Sequence, residues 1–349
     1  DDRLRAMPTS QLVRSNSVAR ALNIIGDRWA LLILGEAFQG TRRFTDWRDR
    51  IGIASNGLAD RLKRLTAAGC LELVAREGSD KRTEYRLTEM GLDLYSSALM
   101  VWRFDKRWSP AGSHMSTLTH IVCGHTLNPQ IVCRACRREV KAPDVRHEEG
   151  PGAGMAMKAP PRHNRRSSVT SESGSGAQTL FGEAVDLIGD RWTQLVVASL
   201  FVGVRRYDDI KNEWKIATNI LADRLKRLVE TGVVQRRLYQ QGPERYEYVL
   251  TPKGYDLYPF VLTLLRWGDR WLADKSGPPM ILYHRPCGQR LDPVLACDHC
   301  GGELDAHTVK FEFKAPAGAR APKSGKEAGQ GVPHPEKRKA ARRAGTGED

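Results

Sequence analysis

Two hydrophobic rhythms alternate along the chain. In VARALNIIGDRWALLILGEAF (18–38) apolar residues recur at three- and four-residue spacing, which predicts two helices parted at Gly26. RRFTDWRDRI (42–51) predicts a short helix after a turn. ASNGLADRLKRLTAAG (54–69) predicts a longer one, with Ser55 as its N-cap and Gly69 as its stop. CLELVAREGSDKRTEYRLT (70–88) then changes to alternating apolar and polar residues about a Gly-Ser-Asp-Lys turn, the pattern of a β-hairpin. GLDLYSSALMVWRFDKRW (91–108) returns to helical spacing. Helices, hairpin, helix is the order of a winged helix-turn-helix.

The same rhythm occurs twice. LADRLKRL stands at 58–65 and again at 221–228, and at that offset of 163 the match extends in both directions. IGDRW at 25–29 returns at 188–192, Arg42-Arg43 as Arg205-Arg206, Gly91 as Gly254, and Trp108 as Trp271. After one extra residue, His120, Cys123, Cys133 and Cys136 recur as His284, Cys287, Cys297 and Cys300. A complete module of about 125 residues is duplicated, which excludes a short solenoid repeat.

The repeated octapeptide has a definite orientation. At about 100° per residue, Leu58, Leu62 and Leu65 share one side and pack inward. Asn56, Asp60 and Lys63 project from the other, flanked by Ala59 and Arg64. A small, amide and basic face suits a DNA major groove, where Asn pairs with adenine and Lys or Arg reaches guanine or phosphate. The turn before this helix and the hairpin after it carry further basic residues suited to phosphates. The candidate DNA contacts in copy one are Arg42, Arg43, Ser55, Asn56, Asp60, Lys63, Arg64, Arg76, Lys81 and Arg82. In copy two they are Arg205, Arg206, Thr218, Asn219, Asp223, Lys226, Arg227, Arg236 and Arg245, with Arg237 adjoining.

Charge supports a polyanionic partner. The formal net charge is +14 over 349 residues. Residues 314–349, a tail rich in Lys and Arg, hold a net +5, so +9 remains on the rest.

With these motifs in order, the chain resembles the HxlR-type winged-helix transcriptional regulators. Copy one does so through RALNIIGDRWALLIL, RRFTDW, SNGLADRLKRL and EYRLTEMG, and copy two through AVDLIGDRWTQLVV, RRYDDI, TNILADRLKRL and YEYVLTPKG. The resemblance covers about 95 residues per copy. It implies recognition-helix and wing roles for the residues named above. It also implies DNA binding as a two-module assembly, since members of that family are usually single-module homodimers. Many members carry a sensing Cys just before the first helix; here that position falls near Asn16 and Thr179, so thiol sensing there is not expected. Cys70, among apolar neighbours, reads as a buried structural residue.

The other six cysteines lie in two copies of His-x2-Cys-x9-Cys-x2-Cys. Reduced thiols, a redox pair or an iron–sulfur site are alternatives, but recurrence of all four ligand types favours structural zinc. The expectation is two closed Cys3His zinc-ribbon-like sites, one per copy: His120, Cys123, Cys133 and Cys136, then His284, Cys287, Cys297 and Cys300. His125 competes as a ligand in copy one, but its counterpart is Gln289. Arg134, Arg137 and Arg138 suggest an extra DNA contact for the first ribbon. Asp298 and Gly301-Gly302 suggest contacts with protein, or between modules, for the second.

The resulting expectation is a mainly α protein with small β-hairpins (α+β), two winged helix-turn-helix domains, each with a C-terminal zinc-ribbon-like element. The boundaries are an N-terminal tail (1–14), a first winged domain (15–110), a first ribbon (118–146), a Gly/Pro/Ser-rich linker (147–178), a second winged domain (179–274), a second ribbon (280–313) and a basic tail (314–349). A single chain would replace the usual homodimer on double-stranded DNA with a near-palindromic operator, a dimer of chains being the alternative. The rival function is a protein-interaction adaptor in a transcription complex. No nucleophile–base pair or phosphate loop recurs, so no catalytic residue is assigned and an enzyme is not expected. No apolar run approaches a membrane span of about 18 residues. The bacterial cytoplasm, at the nucleoid, is the expected location, and the sequence names no effector.

Overall fold

The computed structural model describes residues 17–75, 83–110, 116–153, 180–182, 184–273 and 275–313. The predicted tails, most of the linker, the first wing's Arg76, Lys81 and Arg82, and the positions of Asn16 and Thr179 lie outside these.

Copy one opens with α1 (Ser17–Ile25) and α2 (Arg28–Phe38), parted at Gly26 as the pattern predicts. Asp27 caps α2 by accepting from the Ala30 N–H at 3.1 Å. Next come α3 (Phe44–Ile51) and α4 (Ser55–Ala67). Helix α4 starts one residue earlier than expected. Ala54 occupies the N-cap without a side-chain bond, so Ser55 is the first helical residue and not the cap. Gly69 ends the turn after α4 with φ +83°, a conformation that favours glycine. The wing follows as β1 (Leu71–Ala75) against β2 (Thr83–Leu87), in antiparallel register Leu71↔Leu87. The predicted helix 91–108 is two helices, α5 (Glu89–Leu92) and α6 (Tyr95–Trp108). Thr88 caps α5 by accepting from the Gly91 N–H.

Copy two repeats the sequence of elements: α7 (Ala184–Ile188), α8 (Arg191–Phe201), α9 (Tyr207–Trp214), α10 (Thr218–Glu230), β6 (Val234–Gln241), β7 (Glu244–Leu250), α11 (Pro252–Tyr255) and α12 (Tyr258–Trp271). In each copy a stub before the third helix joins the wing, as the Tyr85 N–H donates to Arg42 O and the Tyr248 N–H to Arg205 O, both at 2.9 Å.

The copies share one hydrophobic core and not two. Leu22, Leu58, Leu99 and Trp102 of the first belong to the same buried cluster as Val185, Leu221, Leu262 and Trp267 of the second. Helices α6 and α12 pack on each other, and each also receives the first helix of the opposite copy. A Cβ on Gly268 of α12 would lie 2.4 Å from Ser17 O, so only glycine admits α1 at that distance. Arg20 of α1 donates to Leu272 O at 2.9 Å. In the reciprocal contact, buried Asp105 of α6 accepts from the Ala184 N–H at the start of α7, at 3.0 Å.

The ribbon strands also exchange. They are β3 (Ser116–His120), β4 (Gln130–Cys133), β5 (Val145–Glu149), β8 (Met280–His284), β9 (Pro293–Ala296) and β10 (Val309–Phe313). Every pairing among them crosses between copies: β3 with β10, β5 with β8, and β4 with β9. The β3–β10 pair His120↔Val309 and the β5–β8 pair Val145↔His284 are equivalent under the 164-residue offset. In β4–β9, Ile131 faces Leu295, its own counterpart. Asp27 likewise bridges to its counterpart Asp190. A pseudo-two-fold axis therefore passes through both places. Strand β5 corrects one boundary, because His147–Glu149, assigned to the linker, form strand. Their alternation is short, and their partner lies in the other copy.

Candidate nucleic-acid interface and metal centres

The two octapeptide helices are built as the wheel predicts. Leu58, Leu62 and Leu65 are at most 1% exposed, as are Leu221, Leu225 and Leu228. On the opposite face Asn56, Ala59, Asp60 and Lys63, and in copy two Asn219, Ala222, Asp223 and Lys226, are exposed, together with Ser55 and Thr218 at the helix starts. Lys226 reaches Glu230 one turn on at 3.8 Å, an exposed pair of little energetic weight.

Arg64 and Arg227 depart from the expectation. Both are half-buried. Arg64 lies 3.4 Å from Asp27, and Arg227 donates to Asp186 O at 2.6 Å. Their neighbours Arg61 and Arg224, which the wheel does not single out, turn inward as well. Arg61 reaches Asp27 at 3.5 Å, and Arg224 reaches Asp190 at 2.8 Å. Burial alone would raise the Asp190 carboxyl. Two bonds from Arg224 and the Thr193 N–H and hydroxyl outweigh it and hold the group below the usual carboxylate range. One aspartate thus caps the second helix of each module and anchors its octapeptide helix, so IGDRW and LADRLKRL recur together because they touch. The signal was in the sequence, as an Asp and an Arg repeated at constant separation.

Around the helices, Arg43 and Arg206 are exposed, while Arg42 and Arg205 are half-buried beside the wing. Arg43 lies 3.9 Å from Glu84. On the second wing Arg236 and Arg245 are exposed. The Arg236 guanidinium stacks over Tyr246 at 4.1 Å and that of Arg206 over Tyr239 at 4.5 Å. Arg237 is paired with Glu247 at 2.6 Å. The tyrosines hold the arginines in place, a role the sequence reading does not assign to them.

The eight expected metal ligands do come together, but not as one set per copy. His120 and Cys123 meet Cys297 and Cys300, and Cys133 and Cys136 meet His284 and Cys287. This corrects the expected grouping: each His-x2-Cys pair joins the Cys-x2-Cys knuckle of the other copy. The cause is the strand exchange, which sets β4 antiparallel to β9 and carries each knuckle to the opposite copy's histidine. The donor geometry fits zinc. A tetrahedron with Zn–S of about 2.3 Å and Zn–N of about 2.0–2.1 Å has S–S edges of about 3.8 Å and S–N edges of about 3.5 Å. Cys123–Cys297 and Cys133–Cys287 are each 3.9 Å apart. His120 Nδ1 lies 3.3 Å from Cys123 and 3.4 Å from Cys300. His284 Nδ1 lies 3.2 Å from Cys136 and 3.5 Å from Cys287. Backbone N–H groups of Gly302 and Gln289 hold the Cys300 and Cys287 thiols below their ordinary range, favouring thiolate. His125 stacks on His299 with ring centroids 3.4 Å apart beside the first cluster, and these two with Cys123 form a further, more exposed three-residue group that shares the Cys123 thiol with it.

The ribbon arginines are committed as well. Arg134 pairs with Asp292 at 2.7 Å and Glu303 at 2.8 Å, and Arg137 with Glu303 at 3.5 Å and with Gly301 O. Two of the three arginines expected to reach DNA from the first ribbon instead hold the two ribbons together. Cys70 is fully buried, and burial pushes its thiol up to about 12, as suits a structural residue.

A helix-turn-helix whose second helix presents an exposed Asn, Asp and Lys, followed by a β-wing with basic side chains, defines a winged helix-turn-helix protein. The HxlR-like helix-turn-helix family matches residues 24–112 and 187–276, together about half of the chain. The chain belongs to that family, once in each copy. It is 43% identical over 138 residues to an uncharacterized HTH-type transcriptional regulator of Mycobacterium tuberculosis, covering 38% of this chain and 87% of the relative. YvaP, an uncharacterized HTH-type transcriptional regulator of Bacillus subtilis, is 36% identical over 93 residues, 26% of this chain and 86% of its own. Among solved structures, the reduced form of the transcriptional regulator YodB from B. subtilis is 30% identical, with TM-score 0.24, over 26% of this chain and 93% of that one. No helix among the described residues is long and apolar enough to cross a membrane.

Proposed function

We propose that this chain is a sequence-specific DNA-binding transcriptional regulator in which two fused modules act as the two halves of a dimer on a near-palindromic operator. The observation that carries the reading is the outward face of α4 and α10. Asn56, Asp60 and Lys63 have identical counterparts in Asn219, Asp223 and Lys226, displayed by halves related through a pseudo-two-fold axis. Paired recognition helices of this kind read half-sites about 34–36 Å apart. Identical faces call for similar bases at the centre of each half-site. Arg42, Arg43, Arg205, Arg206, Arg236 and Arg245 supply phosphate contacts beside them. Flanking preferences differ between half-sites, because the first wing carries REGSDKR and the second YQQGPER. Structural zinc is the occupant we assign to both Cys3His clusters.

Selection of bound DNA from random sequence tests this, with Lys63→Ala and Lys226→Ala made separately. Each substitution is expected to relax one half-site. Unrelated half-sites, or no change from either substitution, would refute the groove assignment. A shallow salt dependence of binding would favour the protein-adaptor reading, since each phosphate contact steepens it.

A further inference from the structure

We infer that the two metal ions act as clamps between the fused modules, so that occupancy sets how the two reading helices stand relative to each other. This rests on the reading of both clusters as zinc sites and of α4 and α10 as DNA readers. Neither copy can build a site alone in this arrangement. Each contributes one His and one Cys to one cluster and two Cys to the other. Two ligands hold zinc poorly, whereas four close its coordination shell. Affinity for the ion therefore depends on the copies being together, and by linkage the ion stabilises that arrangement.

The clusters sit where such a clamp has leverage. The ligands lie at the ends of exchanged strands, His120 ending β3, Cys133 ending β4 and His284 ending β8. The first ribbon is fastened in turn to α6: Arg103 donates to Pro129 O at 3.2 Å and pairs with Glu139 at 2.8 Å, and Trp102 donates to Ser116 at 2.8 Å. Helix α6 packs on α12 at the pseudo-two-fold axis, so the ribbons are coupled to the joint that positions the winged domains. Losing the ions removes one tie between the ribbons and leaves the crossed strands and the Arg134 and Arg137 ion pairs to hold them, while Leu58, Leu62 and Leu65 stay buried in the shared core.

The test uses the full-length chain. Wild type is expected to hold two zinc ions by native mass spectrometry. Cys123→Ser with Cys297→Ser removes ligands from one cluster and leaves one ion, while Cys123→Ser with Cys133→Ser damages both and leaves none. One set per copy predicts the reverse and would overturn the clamp, as would a wild-type chain without zinc. A measurement that needs no substitution guards against misfolded variants. When a limiting chelator withdraws one ion, alkylation should label Cys123, Cys297 and Cys300 as one group, or Cys133, Cys136 and Cys287 as one group. Joint labelling of Cys123, Cys133 and Cys136 would overturn the inference. On selected operator DNA, full chelation should weaken binding by about 10- to 100-fold, as the second reading helix is no longer held at the half-site spacing and simultaneous engagement of both half-sites becomes less favourable. Unchanged affinity would overturn the role in spacing. If metal-replete wild type bound no specific DNA, the operator reading and the role in spacing would both fall, and the zinc count and alkylation pattern would still decide how the sites are built.

Discussion

The Trp108 indole N–H donates to the Asp256 carboxylate at 2.7 Å, across the boundary between the two copies. The reciprocal bond, from Trp271 to Asp93, is 2.8 Å long. Arg107 and Arg270 join the same carboxylates at 3.1 and 3.4 Å. The ends of α6 and α12 are thus locked twice by the same contact, once on each side of the pseudo-two-fold axis.

Trp108→Phe keeps an aromatic ring, smaller than the indole, and deletes the donor, leaving a half-buried carboxylate with one partner fewer. It should cost about 1–2 kcal/mol in urea unfolding, and the double variant with Trp271→Phe about twice that. A cost confined to one of the two substitutions would show that the halves are not equivalent at this joint.

Asp27→Ala should destabilise by about 2 kcal/mol, about half from the lost N-cap and the rest from leaving Arg61 and Arg64 without their anchor. Asp27→Asn keeps a good cap and should recover roughly the first half. Equal costs for the two variants would mean the cap contributes nothing, and an Asn variant as stable as wild type would mean the arginine contacts contribute nothing.

Lys63 and Arg64 are neighbours with different expected roles. Lys63→Ala should leave the unfolding midpoint within about 0.5 kcal/mol of wild type and lower affinity for DNA. Arg64→Ala should lower stability by about 1 kcal/mol through the loss of Asp27, with less effect on base preference. Melting curves and binding isotherms on the same preparations separate the two.

Asp269 and Asp190 should respond oppositely to pH. Burial raises the Asp269 carboxyl to about 6, against opposing contributions from the Ser17 hydroxyl, Arg20 and Arg290. An acid whose folded pKa is raised favours folding when protonated, so stability falls as pH rises from about 4 to about 6 and stays lower above. Asp269→Asn should therefore stabilise at pH 8 by about 1–3 kcal/mol and have little effect at pH 4.5. Asp190, held below its ordinary range, stabilises above the unfolded pKa and loses that contribution as pH falls through the folded value. Asp190→Asn should therefore destabilise at pH 8 and less so in acid. Urea titrations at several pH values read both signs.

Much of this molecule is legible in its residues. Apolar spacing placed α1 to α4 to within a residue or two, though it ran α5 and α6 together, and the wheel sorted the buried leucines of α4 from its exposed Asn56, Asp60 and Lys63. It did not place Arg64, whose long side chain bends back to an aspartate more than thirty residues earlier. A wheel carries direction from the axis and nothing about side-chain reach or distant partners. The linker boundary failed for a related reason, as Val145–Glu149 is too short to be seen as a strand without its partner in β8.

What the sequence determined by itself was local: the duplicated rhythm, the faces of the octapeptide helices, and eight candidate ligands in His-x2-Cys and Cys-x2-Cys pairs. Each of those follows from residues a few positions apart, where chain geometry leaves little choice. Tertiary structure alone decided which pair joins which. The two copies offer the same ligands at the same spacings, so nothing local separates a site closed within one copy from a site closed between two. The antiparallel pairing of Ile131 with Leu295, with the crossed strands on either side, brings each histidine to the other copy's knuckle.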